Sequence, residues 1–133
     1  MADSVEQVVY ENLKGDSTFM GFYTDVYWQE VDKNVIPTEP YIVFWLVDDI
    51  GAETRLNKAH QGEARIQFDL WDSDKIRGAR LRTTLREKVR NLSDIAGGYA
   101  IMTTGITEQT IQRISTTDPY HFVVDGIIKW NEE

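Results

Sequence analysis

The strongest structural signal in this chain is a strand pattern that leads directly into a helix pattern between residues 63 and 92. Apolar and polar residues alternate from Ala64 to Trp71, which is the period of a half-buried β-strand. A polar turn of about two to four residues follows, and an amphipathic helix begins after it. The apolar stripe of that helix has spacings of four, four and three residues: Leu81, Leu85, Val89 and Leu92.

The same helix carries half of the basic residues of the protein. Seven of the fourteen lysines and arginines lie in it: Lys75, Arg77, Arg80, Arg82, Arg86, Lys88 and Arg90. Residues 75–90 contain one anion, Glu87, so their net charge is +6. The net charge of the whole chain is −8, and the rest of the chain therefore has a net charge of −14. The cluster is compatible with a solvated helix face, and it also fits contact with an acidic neighbour such as another copy. The acidic remainder disfavours duplex binding away from this helix.

Composition predicts a single soluble domain. The chain has 133 residues, of which 41% are hydrophobic and 27% charged, so it is long enough to bury a core without disulfides or bound metals. It has no cysteine, which fits a reducing compartment and excludes disulfides. The longest apolar run, residues 41–47, is too short to span a membrane, and the first residues lack the pattern of a secretion signal. These features predict a protein that acts or is assembled in a cytosol.

A first helix and a central strand complete the N-terminal half of the predicted fold. Asp3 or Ser4 can cap the helix, and Gly15 ends it. Its apolar stripe is Val5, Val8, Val9 and Leu13. Residues 21–31 contain a weak strand pattern. Residues 41–47 are apolar on both faces, which predicts a central strand covered on both sides, by helices or by a neighbouring subunit.

The remaining segments predict an antiparallel arrangement. Residues 48–62 form a long hairpin or loop, which returns the strand at 64–71 beside 41–47. After the basic helix, a glycine-containing break at 94–98 precedes short strands at 99–102 and 106–114. A last strand runs from 120 to 130, with Gly126 as a bulge. The order of elements predicts one α+β domain, with an antiparallel β-sheet and two α-helices packed on one face.

No group of residues in the sequence predicts an active site. His60 and His121 lie in unrelated contexts and are predicted to be isolated surface histidines. Asp48 and Asp72 follow strands and could converge on a metal, but no spacing fixes such a site. Phosphate-binding loops, nucleophile elbows and zinc-protease motifs are absent from the sequence. The sequence itself therefore offers no active site.

Taken in order, four segments of the chain resemble a known family. They are an N-terminal helix (SVEQVVYENL), a strand preceded by proline (PTEPYIVFWLV), a strand running into a helix (ARIQFDLWDSDKIRGARLRTTLREKVRNL) and a closing pair (TEQTIQRISTTDPYHFVVDGIIKW). Their order, length and texture resemble the tail-completion or tail-terminator proteins of long-tailed bacteriophages. The resemblance covers nearly the whole chain, and each motif is degenerate.

The resemblance implies a structural virion protein of the tail or neck. Such a subunit forms a ring, typically of six copies, at the end of the tail tube. The ring stops polymerisation of the tail tube protein and presents a joining surface to the connector of the head. DNA passes through the hole without specific binding, and no membrane is involved. The resemblance also implies that the protein is not an enzyme and needs no cofactor or metal. The related head-completion or stopper proteins of the neck remain an alternative, because the order and general character of the segments separate the two families poorly.

A head-to-tail ring needs two different and complementary surfaces on each subunit, and the charge split of this chain supplies them. We expect a basic surface to contact acidic loops of a neighbour or docking protein through Arg77, Arg80, Arg82 and Arg86. Trp71 lies on the polar side of its strand, and tryptophan and arginine are enriched at interfaces.

An acidic pore wall would let DNA slide, and the long loop offers Asp48, Asp49 and Glu53 for it. Two further readings stay open. One is a small ligand-binding or enzymatic α+β domain with a pocket between sheet and helices. The other is a nucleic-acid binder whose basic helix contacts phosphates in a salt-sensitive manner.

Overall fold

A computed structural model describes residues 4–52, 61–96 and 99–132. Its helices are α1 (Val5–Gly15), α2 (Ser17–Met20) and α3 (Lys75–Arg90). Its strands are β1 (Asp25–Trp28), β2 (Tyr41–Ala52), β3 (Gln61–Asp72), β4 (Ser93–Ala96), β5 (Tyr99–Ile111) and β6 (Tyr120–Glu132). Across these residues the strands form one sheet in the order β1-β2-β3-β6-β5-β4. The predicted α+β class is confirmed.

Most strand pairs in the sheet are antiparallel, as predicted, but β1 runs parallel to β2. The prediction of a purely antiparallel sheet is therefore wrong at this edge. The cause is the connection after β1, which contains Pro37 and Pro40 and returns the chain to the start of β2 without a hairpin. Thr24 N donates to Pro40 O at 2.7 Å, and this bond brings the starts of the two strands together.

The helices lie on one face of the sheet, which is also as predicted. The alternation in β3 buries Ala64, Ile66, Phe68 and Leu70 against the stripes of α1 and α3. The helix α1 contacts β1 near one edge of the sheet and β4 and β5 at the other edge. Because one helix reaches both edges, the sheet curls around the core. We call the opposite face of the sheet the helix-free face.

Each helix begins at a residue whose side chain accepts a hydrogen bond from the first turn. Ser4 Oγ accepts from the backbone N–H of Gln7 at 3.2 Å, and Asp74 Oδ1 accepts from that of Arg77 at 3.1 Å. Asp16 caps α2, which the sequence did not predict, and its own extended backbone ends α1. Gly15 is thus the last residue of α1, and the cap that follows it is an aspartate.

Several predicted boundaries are corrected by the structure. Residues 48–52 and 61–62, which were predicted to belong to a long hairpin or loop, lie in the paired strands β2 and β3. Residues 53–60 of that segment lie outside the described residues. The break predicted at 94–98 contains part of strand β4, and the two short strands after it are one strand, β5. Residues 41–47 were predicted to be covered on both sides, by helices or by a neighbouring subunit. The helix alternative is wrong for the second side, and cover by a neighbouring subunit stays a prediction. No described helix covers the helix-free face, where Trp45 is 41% and Val47 44% exposed.

Gly126 is not a bulge, which was the prediction. It pairs in register with Ile66 on one side and Ile106 on the other, while the irregularities lie in β2 and β5. A Cβ at this position would lie 2.8 Å from Val89 Cγ1. Gly126 therefore lets α3 approach the centre of the sheet closely.

Candidate functional site

The cations of α3 are mostly engaged with acids of the same chain. Arg77 donates to both carboxylate oxygens of Asp72, at 2.6 and 2.7 Å. The Asp72 side chain is fully buried, whereas that of Arg77 is 48% exposed. This hydrogen bonding raises the pKa of the Arg77 guanidinium above its usual value. Arg77 thus joins the start of α3 to the end of β3.

Further along α3, two arginines share one carboxylate on β5. Arg82 Nε lies 3.2 Å from Glu108 Oε2, and Arg86 Nη1 donates to Glu108 Oε1 at 2.8 Å. The hydrogen bond to Glu108 raises the pKa of Arg86. These bonds tie the outer side of α3 to β5.

The last turns of α3 make two more ion pairs. Lys88 Nζ lies 2.8 Å from Asp16 Oδ2, and this bond lowers the pKa of the Asp16 carboxyl. Arg90 pairs with Glu87 one turn earlier, at 3.0 Å. Among the described residues, Lys75 and Arg80 form no ion pair. The charge that α3 can offer to a partner is therefore concentrated near its N-terminal half.

A row of rings crosses the helix-free face near the starts of β2 and β6. Tyr27, Tyr41, Trp71 and His121 follow one another across β1, β2, β3 and β6, with centroid distances of 6.1, 5.3 and 4.4 Å. Trp71, which the sequence placed at an interface, is the third ring of this row and is partly buried. By stacking on Tyr41 and His121, Trp71 links β3 to β2 and β6.

His121 is not the isolated surface histidine that the sequence predicted. Its Nε2 lies 3.0 Å from Oδ1 of Asp69, whose side chain is only 4% exposed. Gln67 Nε2 donates to the same oxygen at 2.9 Å. Both Asp69 and His121 occupy outward positions of their strands, but they meet only through the register of β3 with β6. The alternation alone could not reveal this pair.

Carboxylates outnumber lysines and arginines on the helix-free face. By strand register the face carries Asp25, Asp48, Glu63, Asp69 and Asp125, against Arg65 and Lys129. Arg65 contacts Asp125 at 3.4 Å. Lys14 reaches Asp25 from α1 at 2.6 Å, and this bond raises the pKa of the lysine. The face is thus acidic even when its own ion pairs are counted.

The acidic residues predicted for a pore are only partly described. Asp48 is exposed in β2 and lies opposite Arg65 of β3 in the strand register. Asp49 belongs to the same strand, opposite Ala64. Glu53 lies outside the described residues, as does His60.

Two grooves lie on opposite sides of the subunit. The first, of about 540 Å³, runs beside the middle of β2 and is lined by Glu6, Trp28, Gln29, residues 45–47 and Gln67. The second, of about 570 Å³, lies between α3 and the end of β5. Its lining includes Lys75, Arg82, Ile111, Arg113 and Ile114. Arg113 stacks over the Tyr120 ring at 3.9 Å and so stays at this groove.

Within residues 4–52, 61–96 and 99–132, no three histidine, cysteine or acidic side chains are placed to hold a metal ion. In the same residues, no helix has the length and apolar character needed to cross a membrane.

Comparison with known proteins shows the fold and no family. No protein-family model and no curated protein match the chain. Solved structures do match it. One of them, a protein whose name states no function, has a TM-score of 0.55 and 18% identity, over 99% of this chain and 97% of its own. At that identity the likeness extends to the α+β architecture and no further.

Proposed function

We propose that this protein is a tail-terminator subunit of a long-tailed bacteriophage. It forms a ring, of six copies, on the head-proximal end of the tail tube. The ring stops growth of the tube, joins it to the head connector and lets DNA pass. The subunit is a structural part of the virion, is assembled in the host cytoplasm and catalyses no reaction.

The observation that carries the proposal is the segregation of the subunit into two unlike faces. One face of the sheet bears both main helices, and the helix-free face is open and acidic. A wall that meets passing DNA must not bind phosphates tightly, and exposed carboxylates such as Asp48 and Glu63 repel them. An open acidic sheet face therefore suits the lumen of a DNA-conducting ring.

The charge distribution around the subunit supports a head-to-tail ring. Lys75 and Arg80 lie on α3 without acidic partners in the described chain, while Glu6 and Glu11 lie on α1. Such unlike surfaces on one subunit are what a heterologous, closing interface requires. Of the four arginines predicted for the basic contact, Arg77, Arg82 and Arg86 are engaged in ion pairs, which leaves Arg80. We add Lys75, the other cation of α3 that forms no ion pair among the described residues.

The test is capping of tail tubes. Tube subunits are polymerised with and without the purified protein, and the ends and lengths are measured by electron microscopy. We expect a ring at one end of each tube and an arrest of growth there. Unchanged growth with bare ends would refute the terminator role. A ring that binds head connectors and ignores tubes would assign the stopper role instead.

A matched pair of variants separates surface charge from the fold. Arg80→Glu reverses an unpaired cation, and Arg90→Glu reverses one that is already paired on the same helix. We expect Arg80→Glu to weaken ring formation more, as measured by light scattering at low and moderate salt. Equal effects of the two variants would contradict the assignment of the basic contact.

A further inference from the structure

We infer that neighbouring copies in the ring join through their sheets, with the free edge of β2 in one copy pairing antiparallel with the free edge of β5 in the next. The inference rests on the proposed ring and names its interface. The partner is a second copy of this chain. The contact is made mainly by backbone hydrogen bonds.

Both strands have an unpaired edge of the same length. Of the 12 residues of β2, four pair with β1, and the other eight, residues 45–52, have no neighbour on that side in the described structure. In β5, residues 99–102 pair with β4, and Thr103 N donates to Leu92 O. Residues 104–111, again eight, have no described neighbour on the outer side. Open edges of this length are templates for pairing with another chain.

The direction of the strands suits a ring. In the sheet, β2 is antiparallel to β3, β3 to β6, and β6 to β5, so β2 and β5 point in opposite directions. Rotation about an axis along the strands preserves these directions. The β5 edge of one copy therefore meets the β2 edge of the next in antiparallel orientation, which is the usual pairing in this sheet.

The two free stretches lie at opposite ends of the sheet, and this fixes a stagger. Residue 45 of β2 shares a row with Gln67, Asp125 and Thr107. Full overlap of the free stretches instead places residue 45 of the next copy beside Ile111, four residues beyond Thr107. Each copy contributes four long strands, so the stagger is about one residue per strand. That ratio is the one found in closed barrels whose strands tilt by about 36°.

Closure of the sheet places one of its two faces inside the ring. The proposed terminator has its helices outside, because a lumen that conducts DNA needs a face that does not bind phosphates. The acidic helix-free face then lines the lumen. Six copies would give roughly 45 Å between opposite backbones at a strand spacing of about 4.8 Å.

The grooves described above meet at the same junction. The groove beside β2 is lined by Trp45 and by Glu6, and the groove at the end of β5 by Ile111 and Lys75. When residue 45 lies beside Ile111, the two grooves face each other across the junction. Trp45 and Ile111 are 41% and 39% exposed in the single subunit, and the junction covers both. Ile114, 100% exposed, lies at the same groove.

The short strands β1 and β4 set the limits of the junction. The strand β1 occupies the edge of β2 up to Phe44, and β4 occupies the edge of β5 down to Met102. In the proposed pairing each short strand abuts the end of the neighbour's free stretch. They act as stops that restrict the register to one alignment.

A disulfide test follows from the register, because the chain has no cysteine of its own. The irregularity in β2 after residue 46 brings Asp48 of one copy opposite Gln109 of the next, both exposed and both on the helix-free face. Directly opposed residues have Cα atoms about 4.5–5.5 Å apart, within the range for a disulfide. The variant is Asp48→Cys with Gln109→Cys, and the control is Glu63→Cys with Gln109→Cys. Glu63 lies one strand further in, beyond disulfide reach.

We expect the oxidised variant to give a ladder of covalent oligomers that ends at the ring number on non-reducing gels. The control should stay monomeric on the gel, and both variants should form rings of normal mass before oxidation. Hydrogen exchange on the unmodified protein gives a second readout. Amides in residues 104–111 that face the edge should become protected when subunits assemble.

Three results would overturn the inference. Rings that form while the 48/109 pair does not cross-link faster than the control would refute this interface and leave the terminator proposal standing. Unchanged exchange of residues 104–111 on assembly would do the same. A chain that stays monomeric at high concentration, alone and with tail tubes, and forms no covalent oligomer would refute both proposals.

Discussion

Replacing Arg77 with glutamine should destabilise the folded subunit, although Arg77 lies on the exposed side of the basic helix. The reason is its partner. Asp72 has no exposed surface and receives two short hydrogen bonds from the guanidinium. After the change, its one remaining described donor is the backbone N–H of Asp74, at 3.0 Å. A buried carboxylate would thus lose its counter-charge and keep its cost of desolvation.

Removal of one partner from a fully buried ion pair costs about 3–5 kcal/mol. Arg77 is half-exposed, so water screens part of the interaction, and we expect a loss of about 2–3 kcal/mol in the free energy of unfolding. The measurement is urea denaturation at pH 7, followed by circular dichroism. The matched control is Arg80→Gln on the same helix, which should change the free energy by no more than about 0.5 kcal/mol.

Equal stability of Arg77→Gln and Arg80→Gln would refute the reasoning, because it would mean that Asp72 is solvated or satisfied without Arg77. Salt gives a further check. The effect of Arg77→Gln should persist at moderate salt, since buried pairs are screened less than exposed ones. The comparison also matters for assembly, because loss of rings in an Arg77 variant would report the fold as well as the interface.

Three other changes should have defined effects. Gly126→Ala should cost about 1–3 kcal/mol in urea denaturation through overlap with Val89, and the double variant with Val89→Ala should lose less than the sum; strict additivity would contradict the packing argument. Asp16→Asn keeps the helix cap but loses the ion pair with Lys88, so at pH 7 it should cost up to about 1 kcal/mol. Because the folded pKa of Asp16 is depressed, this contribution is present above its unfolded pKa and is lost as the pH falls through the folded pKa; a deficit in unfolding free energy that persists in acid would argue against the pair. His121→Ala should cost about 1–3 kcal/mol, since it removes a hydrogen bond from a buried carboxylate, and His121→Gln should restore part of that loss in the same assay; no difference between the two would refute the bond's role.

The sequence predicted the elements whose signals are local. Alternation placed β3 and its buried face, and the stripe spacing placed α1 and α3, because period and burial are both read from neighbouring residues. The α+β class followed from their order. The parallel pairing of β1 depends instead on where a proline-containing connection returns the chain. The predicted ends of β2, β4 and β5 were also wrong, because the length of each strand depends on pairing with strands that are distant in the sequence.

The candidate site was less accessible from the sequence than the fold. The cluster of cations on α3 was evident, but its ion pairs with Asp72 and Glu108 depend on how α3 crosses the sheet. Asp69 and His121 are 52 residues apart and meet only through strand register. The free edges of β2 and β5 could not be read at all, since an edge is defined by which strands are missing beside it. The separation of basic and acidic residues was thus evident from the sequence, but the ion pairs that they form within the subunit were not.

The position of α1 has a consequence for the order in which the chain becomes structured during synthesis. Its apolar stripe is synthesised before β4 and β5, which it also contacts and which follow about 90 residues later in the chain. Val8 and Leu13, fully buried in the finished subunit, therefore have no complete site until residues 99–111 emerge. The edge of β5 is made at that same late stage. A nascent chain is then close to its finished fold before it can offer both edges to another copy, which limits premature association on the polysome.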